Sequence, residues 1–89
     1  MTFHVETTPR FDKQLKKLDK FAANTILKWL DKNIEGSNNP RLMGKPLVGN
    51  HSGKWRYRIG SYRVITKVDD EKLIILALEV GHRKDIYRK

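Results

Sequence analysis

Lys54-Trp55-Arg56-Tyr57-Arg58-Ile59-Gly60-Ser61-Tyr62-Arg63-Val64 is the stretch that decides the fold. Large apolar residues at 55, 57 and 59 alternate with cations at 54, 56 and 58, the period of two of a strand with one buried face. Gly60-Ser61 then supplies a two-residue loop with glycine first, the type II′ signature of a β-hairpin. Such a loop fixes the register: Ile59 faces Tyr62, Arg58 faces Arg63, Tyr57 faces Val64 and Arg56 faces Ile65. Arg56, Arg58 and Arg63 therefore share one face of the sheet, and Trp55, Tyr57, Ile59, Tyr62 and Val64 share the other.

Downstream, Tyr62 to Val68 is the return strand, Asp69-Asp70-Glu71 a polar loop, and Lys72 to Val80 a third strand. A three-residue loop sets Val68 opposite Lys72, which puts Val64 beside Leu76, Tyr62 beside Leu78 and Arg63 beside Ala77. On that register Ile74, Leu76, Leu78 and Val80 complete the apolar face, and small Ala77 leaves room for a ligand next to Arg63. Upstream, Phe3 to Thr7 alternates and reads as a short strand ending before Pro9. Thr8-Pro9 reads as an N-cap and first helical residue, followed by an apolar stripe at Phe11, Leu15 and Leu18 that predicts about three turns of helix. A second helix is predicted from about Ala22 to Glu35, with Ile26, Leu30 and Ile34 inward and Gly36 as the stop. The stretch from Ser37 to Gly53 reads as an irregular connection, with at most a short extended piece at Leu47-Val48. The predicted architecture is α+β, a single domain over residues 1–89 in the order β-α-α-β-β-β, with a helical hairpin packed on an antiparallel sheet.

Two arginines directly opposite each other destabilise a sheet by up to about 1 kcal/mol relative to a neutral pair. The fold gains nothing from Arg58 facing Arg63, so the pair reads as a preorganised anion site. The plainer alternative is that the guanidiniums diverge into water, or that Glu79 on the same face neutralises one of them. Composition favours the anion site. The 89 residues carry 19 Lys+Arg against 10 Asp+Glu, a formal charge of +9. The excess is +3 over residues 1–44 and +6 over 45–89. Lys45, Lys54, Arg56, Arg58, Arg63 and Lys67 occur with no acidic residue between 45 and 68, the footprint of a phosphate-binding surface.

Other classes are disfavoured. A domain this short buries roughly 60% of its unfolded surface, so a site should be open. With no cysteine there is no disulfide framework, zinc ribbon or thiol nucleophile, which suits the cytosol. The apolar run Leu73 to Leu78 is far short of the roughly 20 residues of a membrane span, and the N-terminus lacks a signal-peptide pattern. No paired carboxylates lie on the basic face, and His4, His51 and His82 are isolated, so no metal or other cofactor is expected. Gly49 to Trp55 superficially resembles a P-loop but has three residues between its glycines instead of four, and Trp55 where Ser or Thr should hold magnesium.

Together with the ending Glu79-Val80-Gly81-His82-Arg83-Lys84-Asp85-Ile86-Tyr87, the stretch from Gly53 to Val64 resembles the RelE/ParE toxin superfamily of bacterial toxin–antitoxin modules, and within it the RelE-like messenger-RNA interferases. The resemblance covers essentially the whole chain and implies the RelE-like microbial RNase fold. It implies a ribosome-dependent, metal-independent endoribonuclease that cleaves mRNA in the A site by attack of a ribose 2′-hydroxyl on the adjacent phosphate, inhibiting translation. It also implies a cognate RelB-like antitoxin in a hetero-oligomer, with no membrane partner.

Carried over position by position, the catalytic candidates are Arg56, Arg58, Arg63, Arg83 and Tyr87, with His82 beside them. Lys45, Lys54, Lys67, Lys84 and Arg88 are candidate RNA contacts. A well-known relative has lysines where this chain has Arg56 and Arg58. Arginine stays protonated below about pH 12, so it stabilises a phosphorane but is a poor proton acceptor. His82, whose type titrates near neutrality, is then the acid/base candidate, and Tyr87 offers a ring on which a base can stack. Two other readings keep the fold: a non-nucleolytic poison of DNA gyrase, as in the ParE branch, and an RNA-binding module without chemistry.

Overall fold

The computed structural model describes residues 1–47 and 53–82. Its elements are β1 (His4–Thr7), α1 (Pro9–Lys16), α2 (Lys20–Asn33), a 3-10 turn (Pro40–Leu42), β2 (Lys45–Pro46), β3 (Trp55–Ile59), β4 (Tyr62–Asp69) and β5 (Ile74–His82). They form one five-stranded sheet in the order β1-β5-β4-β3-β2, antiparallel except where β1 runs parallel to β5. The two helices cover one face, around a core that includes Phe3, Phe11, Ile26, Leu30, Ile34, Tyr57, Val64 and Ile75.

Side-chain caps set the helix boundaries. Thr8 Oγ1 accepts from Phe11 N at 3.2 Å and donates to Ala77 O at 2.9 Å, so one hydroxyl both starts α1 and ties it to β5. Asp19 Oδ1 accepts from Ala22 N at 2.7 Å and starts α2 at Lys20, earlier than its apolar stripe suggests. That cap also shortens α1: it spans eight residues, and Leu18 packs on the core from beyond its end. Thr8→Ala is expected to cost about 1–2 kcal/mol, a cap plus a hydrogen bond. That is a Tm decrease of roughly 5–10 °C in a thermal melt, and Thr8→Ser should restore most of it.

The β3–β4 hairpin has the register set by its turn: Ile59↔Tyr62, Arg58↔Arg63, Tyr57↔Val64 and Arg56↔Ile65. Gly60 sits at φ +60° while Ser61 does not take a positive φ, as a type II′ turn requires.

The β4–β5 register differs from the sequence expectation. The strands close at Asp69↔Ile74, not at Val68 and Lys72. Asp69 Oδ1 accepts from Glu71 N at 3.1 Å and Lys72 N at 3.0 Å, and Leu73 adopts φ 56°, so the side chain of Asp69 organises a four-residue loop in place of three. Farther along, Ile65 pairs with Glu79 but Thr66 pairs with Ala77, which leaves Leu78 as the extra residue of a bulge. Val64 therefore faces Val80, Tyr62 faces His82, and Arg63 faces Gly81 instead of Ala77. Ile75, Ala77 and Val80 are the core residues of β5. Ile74 and Leu76 pair with Asp69 and Lys67 and turn to the opposite face.

Both sheet edges are closed by local chemistry. Beside β1, Glu35 accepts from Val5 N at 2.8 Å and from His4 Nδ1 at 2.6 Å. The Val5 amide and then His4 hold its carboxyl below the ordinary range. Where β1 leaves β5, Gln14 Oε1 accepts from Val80 N at 2.8 Å, so α1 takes the place of a missing strand. At the other edge the short strand is Lys45–Pro46 on β3, displacing the extended piece expected at Leu47-Val48; Val48 lies outside the described residues. No helix of the described residues is long and apolar enough to cross a membrane.

Candidate functional site

Alternation along the strands places two rows of side chains on the face away from the helices. One row runs Lys45–Arg56–Ile65–Glu79 across four strands, and the next runs Arg58–Arg63–Gly81 across three. The strands thus bring Lys45, Arg56, Arg58 and Arg63 together as four cations on adjacent positions. Arg63 faces Gly81, which carries no side chain, and not Ala77 as the sequence register expected. Glu79 does not neutralise this cluster in the way the alternative reading required: its carboxylate pairs with Arg10 of α1 at 3.2 Å.

The three arginines occupy different environments. Arg58 is exposed and Arg56 half-buried. Arg63 is only 6% exposed and is engaged by neighbouring groups, so its charge is fixed in place, whereas Arg58 can reorient toward a ligand. The Nε of Arg56 is buried and makes no hydrogen bond among the described residues. A buried donor without a partner costs free energy.

Other candidate residues fall elsewhere. Lys67 shares the cationic face but pairs with Leu76 and lines a separate recess with Glu6, Asp69 and Lys72. Lys54 lines another, of about 210 Å³, with Arg41, Pro46 and Trp55. His82 continues the row of Ile59 and Tyr62, on the helix side of the sheet, and its ring stands edge-on to Tyr62 with centroids 5.8 Å apart. The strands do not bring it onto the arginine face. Arg83, Lys84, Tyr87 and Arg88 lie outside the described residues. Among the described residues no group of three His, Cys, Asp or Glu side chains is placed to hold a metal ion.

Sequence reasoning missed what holds Lys45 beside Arg56. The turn before β2 is pinned by two aromatic donors from β3: Tyr57 Oη donates to Pro40 O at 2.6 Å and Trp55 Nε1 to Met43 O at 2.7 Å. Arg41 of the same turn forms a two-point ion pair with Asp70, at 2.8 and 2.9 Å, which fastens it to the β4–β5 loop and lowers the pKa of Asp70. Burial pushes the Tyr57 phenol up to about 12. The unfolded phenol ionises near pH 10, so the stability this group contributes is complete below pH 10 and is lost as pH rises toward 12. Tyr57→Phe is expected to lower stability by about 1–3 kcal/mol at neutral pH, because the buried Pro40 carbonyl loses its donor. The same variant should flatten the alkaline side of the Tm–pH curve.

A sheet with facing arginines on one side and helices on the other defines a small α+β domain with one strongly cationic face. Residues 5–87 match the family described as the ParE toxin of type II toxin–antitoxin systems, parDE, and the chain belongs to that family. Toxin RelG of Mycobacterium tuberculosis (strain ATCC 25618 / H37Rv) is 42% identical over 53 residues, 60% of this chain. The alignment spans 61% of RelG, under two thirds of its length. Toxin RelE of the same strain is 28% identical over 86 residues, covering 97% of this chain and 87% of that toxin. Among solved structures, a chain of the toxin–antitoxin complex RelBE2 from Mycobacterium tuberculosis aligns with a TM-score of 0.79 at 26% identity, covering 93% of this chain and 100% of that one.

Proposed function

We propose that this protein is a metal-independent endoribonuclease of the mRNA-interferase kind, acting in the cytoplasm on message in the ribosomal A site and held inactive by a cognate RelB-like antitoxin. The observation that carries the reading is Arg58 directly opposite Arg63 with Arg56 and Lys45 in the adjoining row. The likeness to Toxin RelE along nearly the whole chain, and to a chain of the toxin–antitoxin complex RelBE2, supports a toxin with an antitoxin partner.

In this mechanism the ribose 2′-oxygen bonds to the adjacent phosphorus and the bond to the 5′-oxygen breaks, leaving a 2′,3′-cyclic phosphate and a 5′-hydroxyl. The arginines stabilise the phosphorane, with preorganised donors each worth roughly 3 kcal/mol. Arg83 joins them and Tyr87 stacks on a base; the proton of the 2′-hydroxyl ends on the leaving 5′-oxygen by way of water, because the strands leave His82 on the face opposite the arginines. Lys54, Lys67, Lys84 and Arg88 hold flanking phosphates. The ribosome supplies the substrate geometry that an open site on a small domain does not impose, a contribution of several kcal/mol.

A second reading, a gyrase poison without nuclease activity, is favoured by the family itself, since the matching family is ParE. The test is to add purified protein to programmed ribosomes in parallel with a gyrase supercoiling assay. The interferase reading expects cleavage of A-site codons, unhindered supercoiling, and loss of cleavage on saturation with antitoxin. Blocked supercoiling with intact message would establish the poison instead.

A further inference from the structure

Between α2 and the outer edge of the sheet lies a recess of about 270 Å³ lined by Trp29, Met43, Gly44, Lys45, Arg56 and Arg58. We propose that it is a nucleotide subsite, in which a base of single-stranded RNA stacks on the Trp29 indole while its phosphate meets Lys45, Arg56 and Arg58; the inference rests on the RNA-cleaving reading and adds a base-contacting residue to it. Its volume lies near the lower end for small-molecule sites, a fit for one nucleotide unit.

The two walls differ in chemistry. One is cationic, formed by Lys45, Arg56 and Arg58. The other is aromatic and apolar. Trp29 is only partly buried although its neighbours one residue on and three back, Leu30 and Ile26, are core. Its ring leans on Tyr57, with centroids 5.7 Å apart and planes inclined by 51°, which fixes its orientation. Met43, 42% exposed, stands beside it in a turn that Tyr57 and Trp55 hold through Pro40 O and Met43 O. A flat apolar wall held rigid next to a row of cations matches a nucleotide, which presents a π-face and a phosphate together. A free anion would use only the cations. Any base has such a face, so the subsite should tolerate all four and contribute affinity rather than strict sequence choice.

The test uses the full chain with a 2′-O-methyl hexa-adenylate, which binds but lacks the attacking hydroxyl. With 5-fluorotryptophan incorporated, the Trp29 fluorine resonance should shift on saturation, assigned by its absence in Trp29→Phe. Trp29→Leu should weaken binding about tenfold or more, with the salt dependence unchanged because no phosphate contact is lost. Arg56→Ala should instead reduce the slope of log affinity against log salt by about 0.7. Trp29→Phe keeps a ring against Tyr57 and should retain most of the affinity, which separates stacking from a packing defect. An unmoved Trp29 resonance, or wild-type affinity in Trp29→Leu while Arg56→Ala binds weakly, overturns the subsite and leaves the nuclease reading intact. A wild-type protein that binds no hexanucleotide also overturns the subsite, whereas the nuclease reading is overturned only by intact message on programmed ribosomes.

Discussion

Arg58→Ala is expected to slow mRNA cleavage by about 10²–10³-fold while leaving the protein as stable as the wild type or slightly more so. The first half follows from the loss of one preorganised donor to the developing phosphorane charge. The second half follows from position: Arg58 is exposed and sits directly across from another arginine, and removing one of two facing like charges relieves up to about 1 kcal/mol. A melt and a cleavage time course on the same preparation read both effects. Arg63→Ala should slow the reaction and also lower Tm, because that side chain is buried and engaged. The contrast separates a residue present for chemistry from one that serves chemistry and fold together. An Arg58→Ala protein that cleaves at the wild-type rate would remove the facing pair from the mechanism.

Gly44→Ala should be the most damaging small substitution in the connection between the helices and the hairpin, at about 2–3 kcal/mol or a Tm decrease of roughly 10–20 °C. Gly44 holds φ +81°, where an L side chain is strained. A Cβ there would also overlap the carbonyl oxygen of Arg56 and come within 2.7 Å of Trp55 Nε1, the donor that pins the turn. Both effects act on the register of β2, so Lys45 should leave its place beside Arg56 and RNA affinity should fall along with Tm. Gly53→Ala serves as the control. It carries the same kind of backbone strain, φ +89°, but meets nothing within 4 Å, so it should cost only about 1 kcal/mol.

The sequence-derived features that the structure bears out are those encoded locally. Alternation from Trp55 to Ile59 and the Gly60-Ser61 turn were enough to place Arg58 against Arg63, because a two-residue loop admits one register. The β4–β5 register was not legible. It depends on the Asp69 side chain capturing two amides and on Leu73 taking a left-handed conformation, which an aliphatic residue rarely adopts. The bulge at Leu78 then shifts the pairing once more, and nothing in the run Leu73 to Leu78 marks it. The parallel pairing of β1 with β5 joins segments some 70 residues apart and leaves no short-range signal.

The candidate site divides along the same line. Its cations were legible as a cluster on one face of a hairpin. Trp29 and Met43 were not, because a helix and a turn far from the hairpin in sequence carry them to its edge. The pairing of Glu79 with Arg10 was equally hidden, since the cap at Thr8 and the Gln14 contact are what bring α1 to this edge of β5.

The central claim, metal-free attack by the substrate's own 2′-hydroxyl, is tested most directly by the ends of the cleaved message. Programmed ribosomes would carry either ordinary mRNA or mRNA with a single 2′-O-methyl group at the cut nucleotide, with the protein pretreated to strip divalent ions. The expected result is an upstream fragment ending in a 2′,3′-cyclic phosphate, a downstream fragment with a 5′-hydroxyl, and no cut in the methylated message. Cleavage of the methylated message, or fragments carrying 5′-phosphates, would contradict the account, because a water nucleophile and not the ribose would then be attacking.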